Sequence, residues 1–154
     1  MADEIVWSIN PANDSLEKLV RYLVEFSRDF LHTASLPCRL DVPTVLPTVT
    51  VDSKIRHNIC QAVRETLNNI VKHAEASEVR LEIQWQPGWL RITIKDNGRG
   101  FARAAASDPA ATRNGLKNIA DRMHEIGGCC EQQSGIGQGT CTALSVEIQT
   151  SPTT

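Results

Sequence analysis

One strand-like stretch ends in an acidic residue followed by alternating glycines, and this feature constrains the fold more than any other. Apolar and polar residues alternate from Leu90 to Lys95, and this two-residue period predicts a half-buried strand that stops at Asp96. Gly98 and Gly100 permit backbone angles closed to other residues and allow a ligand to approach the main chain. These residues alone leave two readings open, a ligand loop and an ordinary turn.

The composition indicates one globular domain without a nucleic-acid partner. The chain has 154 residues, which is the usual size of a single domain. Its 16 basic and 18 acidic residues give a formal charge of -2, so there is no basic excess for neutralising nucleic-acid phosphates. The sequence contains no apolar run of membrane-spanning length, and its start lacks the pattern of a secretory signal. We therefore expect a cytoplasmic location, and five cysteines without CxxC spacing are expected to be reduced.

Hydrophobic periodicity predicts three helices. The first begins after Asp14 or Ser15 and runs to about His32, and the second begins at Asp52–Ser53 and runs to about His73. The third runs from Gly115 to about Ile126 and is ended by two glycines. The predicted buried face of the second helix consists of Ile55, Ile59, Ala62, Val63, Leu67, Ile70 and Val71.

The predicted strands lie between these helices. A short strand is expected at 38–42, a hairpin of strands at 79–85 and 89–96, and a last pair at 129–134 and 140–148. Residues 102–113 are small and polar without a hydrophobic period, so we expect a mobile lid there.

A carboxylate and an amide lie one turn apart near the end of the second predicted helix. Glu65 and Asn69 are on the same side, and their oxygens can hold a hydrated divalent cation or orient a water molecule. For these two residues taken in isolation, a solvated helix edge is the favoured interpretation.

Four motifs occur in one order along the chain, and together they carry a family resemblance. They are Glu65-x-x-x-Asn69, Asp96-x-Gly98-x-Gly100, Asn114-Gly115-Leu116 and Gly137-x-Gly139-Thr140. This pattern resembles the ATP-binding domain shared by DNA gyrase, heat-shock-protein chaperones, sensor histidine kinases and MutL, the Bergerat fold. Residues 65–74 look most like the corresponding motif of the nitrate-sensor branch of histidine kinases. The likeness covers roughly 50–148, and residues 6–11 resemble the link that follows the phosphoacceptor helices in that branch.

The resemblance implies the fold and the division of the chain. The expected fold is an α/β two-layer sandwich, in which a mixed, largely antiparallel sheet packs against three helices. Residues 1–13 would be a linker from a preceding dimerisation element, 14–148 the ATP-binding catalytic domain, and 149–154 a disordered tail.

The resemblance also implies roles for individual residues. Asp96 would accept a hydrogen bond from the adenine amino group, and Asn69 would give its side-chain oxygen to Mg²⁺. Glu65 takes the place of the water-activating carboxylate of ATPase members, and the catalytic pair is thus Glu65 and Asn69. Arg113 departs from the family pattern, where a glycine is usual; it would either restrict the lid or supply a cation to the phosphates. The whole implied ATP-binding set is Asn69, Lys72, His73, Asp96, Gly98, Gly100, Phe101, Arg113, Asn114, Gly115, Leu116, Gly139 and Thr140.

The function implied is transfer of the γ-phosphoryl group of Mg-ATP to a histidine on a separate dimerisation domain, in two-component signalling with a response regulator. The phosphoacceptor is expected outside this chain, because the one His-acidic pair, His124-Glu125, follows the nucleotide motifs and is read as accidental. The parent would dimerise through its missing helices and can be anchored in a membrane. Two alternatives stay open, a serine kinase of the anti-sigma-factor type and a nucleotide-gated interaction module without phosphotransfer.

Overall fold

A computed structural model of the chain describes residues 14–74, 76–98, 118–135 and 139–148. The predicted linker at 1–13, the lid at 102–113 and the tail at 149–154 lie outside these ranges. Within them, helices cover one face of a five-stranded sheet, and their apolar side chains form a single core.

Helix α1 (Leu16–Thr33) begins as the sequence predicts, because its first turn is capped by a side chain. The Ser15 hydroxyl accepts a hydrogen bond from the backbone N–H of Lys18 at 3.2 Å, which satisfies one of the free donors of the first turn. Glu17 adds a negative charge at the same end, where it interacts favourably with the positive end of the helix dipole. The buried face consists of Leu16, Leu19, Val20, Leu23, Ser27 and Leu31.

Helix α2 (Ser53–Asn69) is shorter than predicted, because its last residues form a π-helical turn (Ile70–Ala74). A π-helical turn places more residues in each turn than an α-helix does, so the side chains that follow rotate away from the 3.6-residue period. The prediction that Val71 belongs to the buried face is therefore wrong, since its side chain is 40% exposed. The other predicted face residues are buried or packed against the core.

The sheet has the order β1-β2-β3-β5-β4, and it confirms the prediction of a mixed, largely antiparallel arrangement. Strand β1 (Cys38–Asp41) pairs in parallel with β2 (Val79–Gln86). The other three pairings are antiparallel, and they join β2 to β3 (Trp89–Asp96), β3 to β5 (Gly139–Glu147) and β5 to β4 (Cys129–Gly135). Strand β3 thus lies in the middle, flanked on both sides.

A two-residue turn at Pro87–Gly88 joins β2 to β3, and Gln86 pairs with Trp89 across it. Proline sets the φ angle of the first turn residue, and Gly88 has a φ of 90°, as the next position of a type II turn requires. The register places Leu90, Ile92 and Ile94 in the core.

The alternation predicted for β3 fails at one position. Thr93 belongs to the polar series, yet it is only 7% exposed. It lies between Glu82 on β2 and Ala143 on β5, so neighbours on both strands cover it even on the face opposite the helices. A central strand can therefore bury side chains on both of its faces.

Helix α3 (118–124) ends at the predicted glycines. Gly127 has a φ of 74°, and its N–H donates to the carbonyl of His124, while the N–H of Gly128 donates to the carbonyl of Met123 at 2.8 Å. This is the Schellman arrangement that satisfies the last carbonyls of a helix. Ile119 and Met123 are fully buried, whereas residues 115–117 of the predicted helix lie outside the described ranges.

All five cysteines are described, and all are free thiols, as predicted. Burial raises the pKa of the Cys130 thiol to about 11, with further contributions from Cys129 and Glu131. Such a thiol is a poor nucleophile at neutral pH. Among the described helices none combines the length and the hydropathy that crossing a bilayer requires.

Candidate functional site

The carboxylate of Asp96 is held at the end of the central strand. Its residue is only 7% exposed, and its Oδ1 accepts the backbone N–H of Gly98 at 2.9 Å. Burial raises the pKa of Asp96, while backbone hydrogen bonds from Gly98 and Thr140 act in the opposite direction. The Gly98 contact is a local turn of the kind Asp often forms, and such a turn is compatible with a ligand loop. An ionised carboxylate has about four acceptor positions, so it retains capacity for a ligand.

Strand β5 begins directly beside this carboxylate. Asp96 pairs with Thr140 in the antiparallel register of β3 and β5, and Thr140 is 6% exposed. Gly139 approaches the main chain of Asp96 so closely that a side chain there would meet its carbonyl group. The sheet therefore brings two distant sequence motifs into one corner, made of Asp96, Gly98, Gly139 and Thr140.

A second group of polar residues lies at the end of α2. Glu65 and Asn69 are half-buried and one turn apart, and the π-helical turn that follows carries the exposed Lys72. Thr66 is buried, and its hydroxyl donates to the carbonyl of Ala62 at 2.8 Å, so it is satisfied within the helix. π-Helical turns are rare and are frequent at functional sites, and this one marks the end of the Glu65–Asn69 motif.

A polar cleft of about 380 Å³ separates α2 from α3. Asn58 joins α2 to two residues that line this cleft, because its Nδ2 donates to the carbonyl of Arg122 at 2.8 Å and to Glu125 Oε2 at 2.9 Å. The lining residues are Gln61, Glu65, Asn118, Asp121, Arg122 and Glu125.

Of the residues that line this cleft, only Glu65 is predicted from the sequence as a site residue. Residues 58, 61 and 65 recur at helical spacing on α2, as do 118, 121, 122 and 125 at α3 and the turn after it. That spacing is the signal that marks one polar side of each helix. It does not indicate that the two sides face each other.

Seven predicted site residues have described side chains or, for glycine, described backbone: Glu65, Asn69, Lys72, Asp96, Gly98, Gly139 and Thr140. His73 is described only as part of the π-helical turn. Six predicted residues lie outside the described ranges: Gly100, Phe101, Arg113, Asn114, Gly115 and Leu116. The roles of all of these residues stay predictions.

A magnesium site would need phosphate oxygens or water molecules to complete its set of ligands. In the part of the chain that is described, no group of three or more His, Cys, Asp and Glu side chains could hold a metal ion. Mg²⁺ commonly keeps several waters and is bound by one or two protein oxygens together with phosphate oxygens. The half-buried amide of Asn69 fits that kind of donor set.

Comparisons with known proteins agree with the motif order. The family described as histidine kinase-, DNA gyrase B-, and HSP90-like ATPase matches residues 55–150. The sensor histidine kinase LiaS of Bacillus subtilis is 28% identical over 109 residues, which cover 71% of this chain and 29% of LiaS. The nitrate/nitrite sensor protein NarQ of Escherichia coli is 28% identical over 149 residues, which cover 86% of this chain and 26% of NarQ. The chain thus spans less than a third of either relative.

Solved structures confirm the fold. The histidine kinase domain of the blue-light activated kinase EL346 from Erythrobacter litoralis superposes with a TM-score of 0.68 at 22% identity, over 84% of this chain and 61% of that domain. Full-length ShkA, solved in complex with AMPPNP, gives a TM-score of 0.67 at 23% identity, over 90% of this chain and 31% of ShkA. The predicted Bergerat-type α/β sandwich is therefore correct.

Proposed function

Since the chain belongs to the family of histidine kinase-, DNA gyrase B- and HSP90-like ATPases, we propose that it binds Mg-ATP and donates the γ-phosphoryl group to a histidine on a separate dimerisation domain. The observation that carries this proposal is the buried carboxylate of Asp96, set between Gly98 and the start of β5. The similarity to NarQ, a nitrate/nitrite sensor protein, and to LiaS, a sensor histidine kinase, supports a role in two-component signalling, with a response regulator as the final acceptor.

Asp96 selects the base. An ionised carboxylate only accepts hydrogen bonds, so it pairs with the exocyclic amino group of adenine and not with the carbonyl group that guanine carries there. Because the carboxylate is buried, water competes poorly for it. Gly139 packs against the main chain of Asp96, and Thr140 would close the pocket.

Residues at the end of α2 hold the phosphates. Asn69 would bind the Mg²⁺ ion, and Lys72 would approach a phosphate as a point charge. When bound, ATP supplies the phosphoryl group and Mg²⁺ offsets phosphate charge. Asn114, Gly115 and Leu116 would bring the N–H groups at the start of the third helix to the triphosphate.

Glu65 has a different task from Asn69. It lines the cleft between α2 and α3, where it would orient the incoming imidazole or hold a proton. The acceptor histidine is proposed to lie on another domain of the parent protein, since the chain spans less than a third of its relatives. Phosphoryl transfer depends mainly on positioning and charge stabilisation, so we expect the isolated chain to bind nucleotide but to turn it over slowly.

Calorimetry tests the binding half of this proposal. We expect the chain to bind ATP in the presence of Mg²⁺ at least about tenfold more tightly than GTP, because guanine carries a carbonyl acceptor at the position where adenine presents its amino donor to the carboxylate. Equal affinities, or no binding of ATP, would contradict the proposal.

Labelling tests the transfer half. The chain is incubated with γ-labelled Mg-ATP and a polypeptide that carries the dimerisation helices of the parent protein. Acid-labile label on that polypeptide supports the histidine kinase. Acid-stable label on a protein partner would instead favour the serine kinase, and ATP binding without any label would favour the nucleotide-gated interaction module.

A further inference from the structure

The side chain of Asn97 ties the end of β3 to the segment that follows α2. Its Oδ1 accepts the backbone N–H groups of Ser77 at 2.9 Å and Glu78 at 3.0 Å. Its Nδ2 donates to Ser77 Oγ at 2.9 Å, and its own backbone N–H donates to the carbonyl of Glu78 at 3.3 Å. One residue thus makes four hydrogen bonds to two neighbours, and twenty positions separate it from Ser77 in sequence.

This segment is the connection between the two halves of the site. Residues 76–78 follow the π-helical turn that carries Lys72 and lead into β2. The segment is also attached to β1 and the residue before it, since Glu78 forms an ion pair with Arg39 and the N–H of Val79 donates to the carbonyl of Pro37 at 3.0 Å. The hydrogen bonds of Asn97 attach the same segment to the end of β3, next to Asp96.

We propose that Asn97 is a positioning residue that fixes the phosphate-binding end of α2 relative to the adenine carboxylate of Asp96. This inference rests on the proposed function, because it concerns how one ATP molecule contacts both places at once. A ligand that spans two groups gains affinity when their separation is set before it binds, whereas a ligand that contacts one group gains nothing. Asn97 itself needs no contact with the nucleotide.

The inference predicts different effects on two ligands. Asn97→Ala removes the three side-chain hydrogen bonds, so Mg-ATP is expected to bind about tenfold more weakly. AMP lacks the β- and γ-phosphates, so its affinity is expected to stay within about twofold of the parent value. A residue that merely stabilised the fold would change neither affinity in the folded protein.

Asn97→Asp is the conservative variant. A carboxylate at position 97 can still accept both backbone N–H groups, and the Ser77 hydroxyl can turn to donate to it. We therefore expect Asn97→Asp to bind Mg-ATP within about threefold of the parent chain. Ser15→Ala is the control for lost stability, because it removes the side-chain cap of α1 at a similar cost, far from β3.

All dissociation constants are measured by calorimetry at a temperature where circular dichroism shows the parent and each variant fully folded. The proposal is supported if Asn97→Ala weakens Mg-ATP but not AMP, Asn97→Asp recovers most of the loss, and Ser15→Ala changes neither. It is overturned if Asn97→Ala binds Mg-ATP normally, if both ligands weaken equally, or if the Asp and Ala variants are equally weak. A parent chain that binds no ATP would instead overturn the proposed function, and this inference with it.

Discussion

Gly139 lies against the main chain of Asp96, so that a Cβ atom on residue 139 would be 2.0 Å from the Asp96 carbonyl oxygen. Its φ of 78° also lies in the left-handed region that residues with side chains rarely adopt. Two independent constraints, space and conformation, therefore require glycine at the point where β5 meets the proposed adenine pocket.

We expect Gly139→Ala to lower the free energy of unfolding by about 3 kcal/mol, because it adds a clash with backbone to the cost of a left-handed alanine. Gly88→Ala is the matched control. Gly88 has a φ of 90°, but a Cβ there would have no neighbour within 4 Å, so only the conformational cost of about 1 kcal/mol applies. Urea denaturation measures the free energy of unfolding of both variants, and equal decreases would show that the clash at residue 139 relaxes without cost.

Asp96→Ala is expected to abolish the preference for ATP over GTP. The lost pairing with the adenine amino group corresponds to about 1–3 kcal/mol of binding free energy, and calorimetry measures it directly. An unchanged affinity for ATP in this variant would sink the assignment of Asp96 to the base.

Asp96→Asn is expected to increase stability near neutral pH. Burial raises the pKa of Asp96 above its ordinary 3.8, so the folded protein binds more protons than the unfolded chain. The free energy of unfolding therefore falls as the pH rises from 3.8 through the pKa of the folded state. The amide of Asn removes the buried charge and still accepts the N–H of Gly98.

Denaturation at two pH values measures this effect. Asp96→Asn should exceed the parent in stability at about pH 7.5, and the difference should vanish at about pH 4. A difference that grows toward acid would have the wrong sign. If Asp96→Asn is more stable than the parent and Asp96→Ala binds ATP more weakly, the Asp96 carboxylate lowers the stability of the fold while it increases the affinity for ATP.

Asn58→Ala is expected to lower the free energy of unfolding by about 2 kcal/mol, because it leaves the carbonyl of Arg122 and the carboxylate of Glu125 without this donor. Arg21→Ala is the control. Arg21 pairs with Glu17 at 3.2 Å, but both side chains are 66% exposed, and such pairs contribute less than about 1 kcal/mol. Chemical denaturation distinguishes the two, and similar losses would mean that Asn58 does not hold the two helices together.

Ser27→Ala is expected to stabilise the chain. Ser27 is fully buried in α1, and its hydroxyl has no hydrogen-bond partner among the described residues. Alanine removes this unsatisfied group and favours the helix, for a gain of about 1 kcal/mol in thermal or urea denaturation. Thr66→Ala should instead lower the free energy of unfolding, because it removes the hydrogen bond from the buried Thr66 hydroxyl to the carbonyl of Ala62. A loss of stability in Ser27→Ala would contradict the expectation.

Much of the fold follows from patterns confined to short stretches. The Ser15 cap, the Pro87–Gly88 turn and the Gly127 stop each depend on a few neighbouring residues. The alternation in β3 likewise delivers Asp96 to the end of a strand, because strand geometry alone sends successive side chains to opposite faces. The order of the motifs then identified the family, which the comparisons confirm.

What depends on contacts between distant residues required the tertiary structure. The π-helical turn exposes Val71 against its local pattern, and the strands on both sides bury Thr93. Asn58 and Asn97 read as ordinary polar residues in the sequence, yet their partners lie 64 and 20 positions away, respectively. The sequence by itself determined which residues form helices, strands and the nucleotide motifs. Only the packed structure decided which polar side chains join those elements, because hydrogen-bond partners are set by the approach of whole elements and leave no periodic trace along the chain.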